Sequence, residues 1–184
     1  ENSCPWNEKT CHGAAENGHL DCLKYAHEND CPWNEWTCYV AAKYGHLECL
    51  KYVHENGCPC DEHVCAYAAK YGHLDCLKYA HENGCPWDES CISKAMEWRS
   101  HWCLKYLLDN KCPSINALDY PIKVGDLESF RILSTYKEFS WDKETIYSCI
   151  RNKNNELLDF MIDYKSIDKV TGKDMVEIAG KVEK

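Results

Sequence analysis

Residues 4–30, 31–57 and 58–84 follow one order of apolar and polar positions. Each stretch opens Cys-Pro, reaches a polar Asn7, Asn34 or Asp61, and then sets a small apolar stripe. In the first stretch that stripe is Cys11, Ala14 and Ala15. Offsets of three and four residues lie on one face of an α-helix. A glycine follows (Gly18, Gly45 or Gly72), and a second stripe is built on Cys22 and Leu23 or their equivalents. The pattern therefore predicts two short helices per unit.

The helix ends are also written in the chain. Asn7, Asn34, Asp61, Asp88 and Asp142 stand where an N-cap belongs. Glu8, Glu35, Glu62 and Glu89 follow them and suit the positive end of a helix dipole. The first helix spans about ten residues and stops at the glycine, which takes left-handed geometry freely. The second runs from about His19 to Asn29. It closes at the Cys-Pro, because proline cannot continue a helix and restricts the residue before it.

Cys4, Cys31, Cys58, Cys85 and Cys112 mark a period of 27 residues, and Tyr25, Tyr52, Tyr79 and Tyr106 keep the same period. A fixed period of roughly 20–50 residues is the mark of a solenoid, in which each unit buries its face against its neighbours. The expected architecture is an all-α solenoid with repeats at 4–30, 31–57, 58–84, 85–111, 112–138 and 139–165. The last two are degenerate. Residues 166–184 are expected to form a capping helix. Glu1-Asn2-Ser3-Cys4-Pro5-Trp6 matches the unit boundary at Glu82–Trp87, so the chain opens within a repeat and reads as part of a longer array.

At Ala14-Ala15-Glu16-Asn17-Gly18-His19-Leu20-Asp21 the unit resembles the "AAxxGHLE" core of ankyrin repeats, and Ala41–Glu48 and Ala68–Asp75 match it as well. The resemblance is strong over residues 4–111 and weak over 112–165. Two features depart from the family: the period is shorter than its 33 residues, and its TPLH signature is absent. The missing residues fall where ankyrin repeats place a β-hairpin finger, so a tight Cys-Pro-Trp turn is expected instead. Short arrays of this kind resemble those of large DNA viruses of amoebae and of some protists. That resemblance implies a viral protein in host–virus interaction. The family also implies a non-catalytic protein-binding role, with the first helices lining a concave side.

Laying the repeats over one another separates scaffold from variation. In the first helix Glu8, Cys11, Ala14, Ala15 and their equivalents are constant, while positions 9, 12, 13, 16 and 17 change. The changing offsets form one helix face. The second helix hardly changes. The variable face carries Trp36, Tyr39, Lys43 and Tyr44, then His63, Tyr67, Lys70 and Tyr71, and then Trp98. Trp and Tyr are enriched at binding hot spots. These nine residues are the candidate partner-binding set, and Lys43 and Lys70 suggest an acidic or polar rim on the partner. The competing reading is that the rings pack against neighbouring repeats. In the fourth repeat Arg99 replaces the glycine, which predicts a distorted turn. Trp98, His101 and Trp102 there mark either a docking spot or tolerated drift.

Fifteen cysteines in 184 residues invite a disulfide or metal reading. The Cys11 and Cys22 positions fall on the inward stripes, where cysteine acts as a small apolar residue. Equivalent cysteines in stacked repeats stand roughly 10 Å apart, and a disulfide needs Cα atoms within about 7 Å. A ladder of bridges between equivalents is thereby excluded, and a reduced, intracellular, cytoplasmic protein is expected. His19, His46 and His73 are expected to bond a neighbouring turn's carbonyl, as the recurring ankyrin histidine does. His27, His54 and His81 suit the negative end of the second helix. The metal candidate is His54, Cys58, Cys60 and His63, four Cys/His ligands within ten residues. It lacks a CxxC knuckle, and no cofactor is expected.

A net charge of -9 argues against nucleic acid and anionic membranes as partners. No apolar run approaches the ~18 residues of a membrane span. The chain has no phosphate-binding glycine loop, no GxSxG and no HExxH, so no enzyme is expected. Two other roles remain alternatives: a substrate-recognition adaptor for a ubiquitin ligase, and a zinc-dependent structural array.

Overall fold

The computed structural model describes residues 7–136, 139 and 142–163. Among these the chain is all-helical, with no strand. It divides into two compact units at Ser114/Ile115.

In the first unit the helices alternate as expected. They are α1 Glu8–Glu16, α2 Leu20–Glu28, α3 Glu35–Lys43, α4 Leu47–Glu55, α5 Glu62–Tyr71, α6 Leu74–Glu82, α7 Glu89–Glu97 and α8 His101–Asp109. Odd-numbered helices pack on odd-numbered neighbours and even on even, so the unit is a two-layered stack. Its first layer is lined with Cys11, Ala15, Cys38, Ala41, Ala42, Cys65, Ala68, Ala69 and Ala95, all buried. Small side chains let the helix backbones approach closely, which a short repeat requires. Leu23, Leu50, Leu77 and Leu104 fill the space between layers and are fully buried.

The caps explain the recurring polar residues. The side chains of Asn7, Asn34, Asp61 and Asp88 accept from the backbone N–H two residues on, at 3.0, 3.1, 3.1 and 3.0 Å. The C-terminal Asn29, Asn56, Asn83 and Asn110 each donate their amide to the carbonyl of the tyrosine four residues back, at 2.8 Å. These bonds satisfy backbone groups that every helix end leaves open.

Tight turns stand where a hairpin finger was expected to be missing. The histidine that opens each second helix caps nothing with its side chain. His46 instead donates Nε2–H to the Glu16 carbonyl of the preceding repeat at 3.1 Å. That acceptor fixes the proton on Nε2, because a carbonyl cannot donate. In the fourth repeat Ser100 takes the same role, donating Oγ–H to the Lys70 carbonyl at 3.0 Å.

The expected distortion at Arg99 does not occur. Arg99 adopts φ 55°, and its N–H bonds the Met96 carbonyl at 3.0 Å. Gly45 N–H bonds Ala42 in the same way at 3.3 Å. A single left-handed residue costs about 1–2 kcal/mol, which a stacked turn tolerates.

The second unit contains α9 Asp119–Val124, α10 Leu127–Ser134, α11 Lys143–Arg151 and α12 Asn155–Asp163. Its core gathers Ile122, Phe130, Cys149, Leu157 and Met161. Asp142 caps α11 in a capping box with Thr145, and those hydrogen bonds hold its carboxyl below the ordinary range. The Asn154 amide bonds the Ile122 carbonyl, so α9 is tied to the start of α12. The capping helix expected at 166–184 lies outside the described residues.

Candidate interaction face

The variable positions of α3, α5 and α7 come together as one aromatic ladder. Trp36 meets Tyr39 edge-on, with ring centroids 5.2 Å apart. Tyr39 meets Tyr67 of the next repeat at 4.8 Å, again edge-on. Tyr67 lies 6.2 Å from Tyr71, and Tyr71 lies 5.2 Å from Trp98 of the fourth repeat. His63 stacks beside Tyr67 at 6.4 Å. Such pairs favour offset and edge-to-face geometry, each worth about 0.5–1.5 kcal/mol beyond area burial.

Lysines thread between the rings. Lys43 Nζ stands 4.7 Å from the Tyr44 ring and 5.8 Å from Tyr39. Lys70 Nζ reaches Trp98 at 4.8 Å and both Tyr67 and Tyr71 at 5.3 Å. These are cation–π distances. A hydrogen bond to Tyr44 raises the Lys43 ammonium above its ordinary range, so its charge is firmly held. Burial raises Tyr39.

Exposure sorts the ladder into base and tips. Tyr39, Tyr67 and Tyr71 are half-buried, as are Lys43 and Lys70. Trp36, Tyr44 and Trp98 are 54%, 42% and 53% exposed. His63 is exposed and bonds Asp61 through Nδ1 at 3.2 Å. Tyr39 and Tyr67 pack ring to ring across repeats, as the packing reading expects, while Trp36, Tyr44 and Trp98 stand exposed beside them. Lys94 was missed by the sequence argument. Its Nζ lies 5.6 Å from Tyr67, and it occupies the same repeat position as Tyr67 itself. Trp102 lies on α8, in the other layer, and is 76% exposed.

The four-residue metal candidate does not assemble. Cys58 is buried and donates its thiol to the Asn34 carbonyl at 3.1 Å, while His63 faces Asp61. Sequence proximity failed here because Cys58 is pulled under the preceding helix start and His63 leaves on the variable face. Among the described residues the three possible ligands that do come together are His54, Cys60 and Cys85, with ligand atoms within 4.8 Å of one another. Cys60 and Cys85 are joined by a disulfide, with Cα atoms 5.5 Å apart. The pair is not equivalent in the repeat, so excluding bridges between equivalents did not bear on it.

Among the described residues the remaining cysteines behave as core, with the exception of Cys22. Cys11, Cys38, Cys49, Cys65, Cys76 and Cys103 are buried free thiols. Burial pushes Cys65, Cys76 and Cys103 up to about 12, far from the reactive thiolate. Cys22 belongs to the same series as Cys49 but is exposed. Among the described residues no helix is long and apolar enough to cross a membrane.

Comparison with known proteins agrees with this architecture. A family model described as ankyrin repeats (3 copies) matches residues 38–119, and one described as ankyrin repeats (many copies) matches residues 11–54. No curated protein matches the chain significantly in sequence. Among solved structures, the human ASB11 ankyrin repeat domain is similar in fold, with a TM-score of 0.61 and 20% identity. That likeness covers 69% of this chain and 68% of the other. With ankyrin models spanning residues 11–119 between them, and paired helices stacked at a 27-residue period, the chain belongs to the ankyrin-repeat family.

Proposed function

We propose that this chain is a non-catalytic protein-interaction scaffold that captures its partner on the aromatic face of α3, α5 and α7. Ankyrin repeats are protein–protein interaction modules in general. The observation that supports this particular face is the pairing of exposed tips with a packed base. Trp36, Tyr44 and Trp98 stand in solvent, yet Trp36 and Trp98 are already fixed by contact with Tyr39 and Tyr71. Lys43 lies against the Tyr44 ring. Rings held before docking lose little ordering entropy when a partner arrives.

The partner's chemistry follows from the same residues. Lys43, Lys70 and Lys94 place three cations among the rings of a chain whose net charge is -9. A segment with carboxylates or carbonyls flanking apolar side chains meets both features of the face. Affinity capture with the wild type and with a Trp36→Ala/Trp98→Ala variant tests the reading. Recovered partners are then purified and their affinities measured. A loss of about 30-fold or more is expected, as for the removal of hot-spot side chains, with the folded helix content retained. Undiminished affinity for every recovered partner overturns the assignment.

A further inference from the structure

Each junction between repeats in the first unit carries a three-residue cluster on the side of the second helices. At the first junction His27 stacks on Trp33, with ring centroids 3.8 Å apart, and its Nδ1 is hydrogen-bonded to the Tyr52 hydroxyl at 3.0 Å. At the third junction His81 stacks on Trp87 at 3.6 Å and bonds Tyr106 at 2.9 Å. The middle junction keeps His54 and its 3.3 Å bond to Tyr79, but Cys60 stands where the indole belongs.

A second series of side chains changes at the same place. Cys31, Cys58 and Cys112 each donate a thiol to the carbonyl of the N-cap residue one repeat earlier. The acceptors are Asn7, Asn34 and Asp88, at 3.3, 3.1 and 3.3 Å. Cys85 is the member of that series whose sulfur is instead bonded to Cys60. Its counterpart acceptor is the carbonyl of Asp61, the N-cap of α5.

We propose that Cys60 and Cys85 form a reversible redox site that sets the strength of the junction between the third and fourth repeats. Both states have a place in the fold. Oxidised, the bridge ties the turn before α5 to the turn before α7 and adds a covalent link to the His81–Trp87 stack already at that junction. Reduced, Cys85 donates to the Asp61 carbonyl as its equivalents do, and the junction is held by non-covalent contacts alone, the His81–Trp87–Tyr106 cluster among them. A buried bridge with no alternative partner for its sulfurs lacks that second state.

Accessibility sets the order of events. Cys60 is half-buried and Cys85 is 5% exposed. The Cys60 thiolate attacks one sulfur of a low-molecular-weight disulfide such as oxidised glutathione, and one thiolate leaves. Cys85, having given up its proton, attacks the Cys60 sulfur of that mixed disulfide, and the second thiolate leaves. Two protein thiols become one disulfide, and one small disulfide becomes two small thiols. A small dithiol reverses the exchange.

The same three side chains also raise the question of metal. In the flanking repeats the residue at position 33 or 87 lies over the flat face of the histidine ring. A metal ion needs the in-plane lone pair of an imidazole nitrogen. Cys60 holds the corresponding repeat position, and its sulfur is bonded to Cys85.

The test uses the full chain in buffers of graded reduced-to-oxidised glutathione ratio, quenched in acid, alkylated and analysed by intact mass and peptide mapping. The expected result is a single two-electron transition in which two alkylations are lost, both mapping to Cys60 and Cys85. It reverses without denaturant, and the oxidised form melts about 5–10 °C higher. A Cys60→Trp variant, which restores the residue of the flanking repeats, loses the transition and holds one melting temperature throughout. Persistent alkylation of both cysteines at every ratio overturns the proposal. So does reduction that requires unfolding, or pairing with other cysteines. A parallel sample of reduced protein receives zinc. One tightly held zinc per chain that blocks oxidation would assign the cluster to metal instead and overturn the redox reading.

Discussion

His46 occupies the space that a side chain at Gly18 would need. A Cβ built on Gly18 falls 2.5 Å from His46 Nδ1, and the same holds for Gly45 and His73. The repeat's glycine thus has two duties: it turns the chain at φ 70–78° and leaves room for the next repeat's imidazole. Gly72 faces the smaller Ser100, and a Cβ there would meet its Oγ at 3.4 Å, an ordinary contact, so the clash belongs to the junctions that carry histidine.

Gly45→Ala should therefore cost about 2–4 kcal/mol, the sum of a left-handed alanine and a displaced histidine. Gly57→Ala, where φ is 82° but nothing lies within 4 Å of the added carbon, should cost only about 1–2 kcal/mol. Urea unfolding of the two variants side by side measures the difference. Equal losses would mean that the histidine is not seated as described.

Thr37 is fully buried, and among the described residues its hydroxyl has no hydrogen-bond partner. The equivalent position in the next repeat is Val64, which is buried as a hydrocarbon. Thr37→Val should stabilise the protein by about 1 kcal/mol, since an unmade buried hydrogen bond is removed at constant shape. A lower unfolding midpoint in the variant would contradict this.

Burial holds His73 below the ordinary imidazole range, against a smaller opposing effect from its bond to the Lys43 carbonyl. The unfolded chain thus takes up a proton more readily than the folded one. The stability His73 supplies is present above the unfolded pKa of about 6.5 and is lost as pH falls through that value toward the depressed folded one. His73→Ser copies Ser100 and cannot titrate. Between pH 7.5 and pH 5 the wild type should lose more stability than this variant. Identical losses would show that His73 does not carry the dependence.

Much of this was readable in the chain, and the reasons differ by residue. Asn34 and Asp61 announce helix starts because capping is local: the side chain reaches a backbone N–H two residues on. The carbonyl partner of His46 was inferred from the recurring position and the family resemblance, and it lies thirty residues back. The variable face was found by comparing repeats, without knowing what its rings touch. Tyr39 and Tyr67 were named separately, but their edge-on contact joins different positions of the repeat, and only the packing of α3 on α5 brings them together.

The sequence by itself determined the period, the paired helices, their caps and the split between constant and varying faces. All of these follow from short-range chemistry repeated at a fixed interval. The tertiary structure alone decided which non-equivalent residues meet. Cys60 reaches Cys85 rather than its chain neighbour Cys58, because stacking lays one turn on the next, while Cys58 is already engaged beneath α3. Distance along the chain cannot report a contact that exists only once two repeats are pressed together.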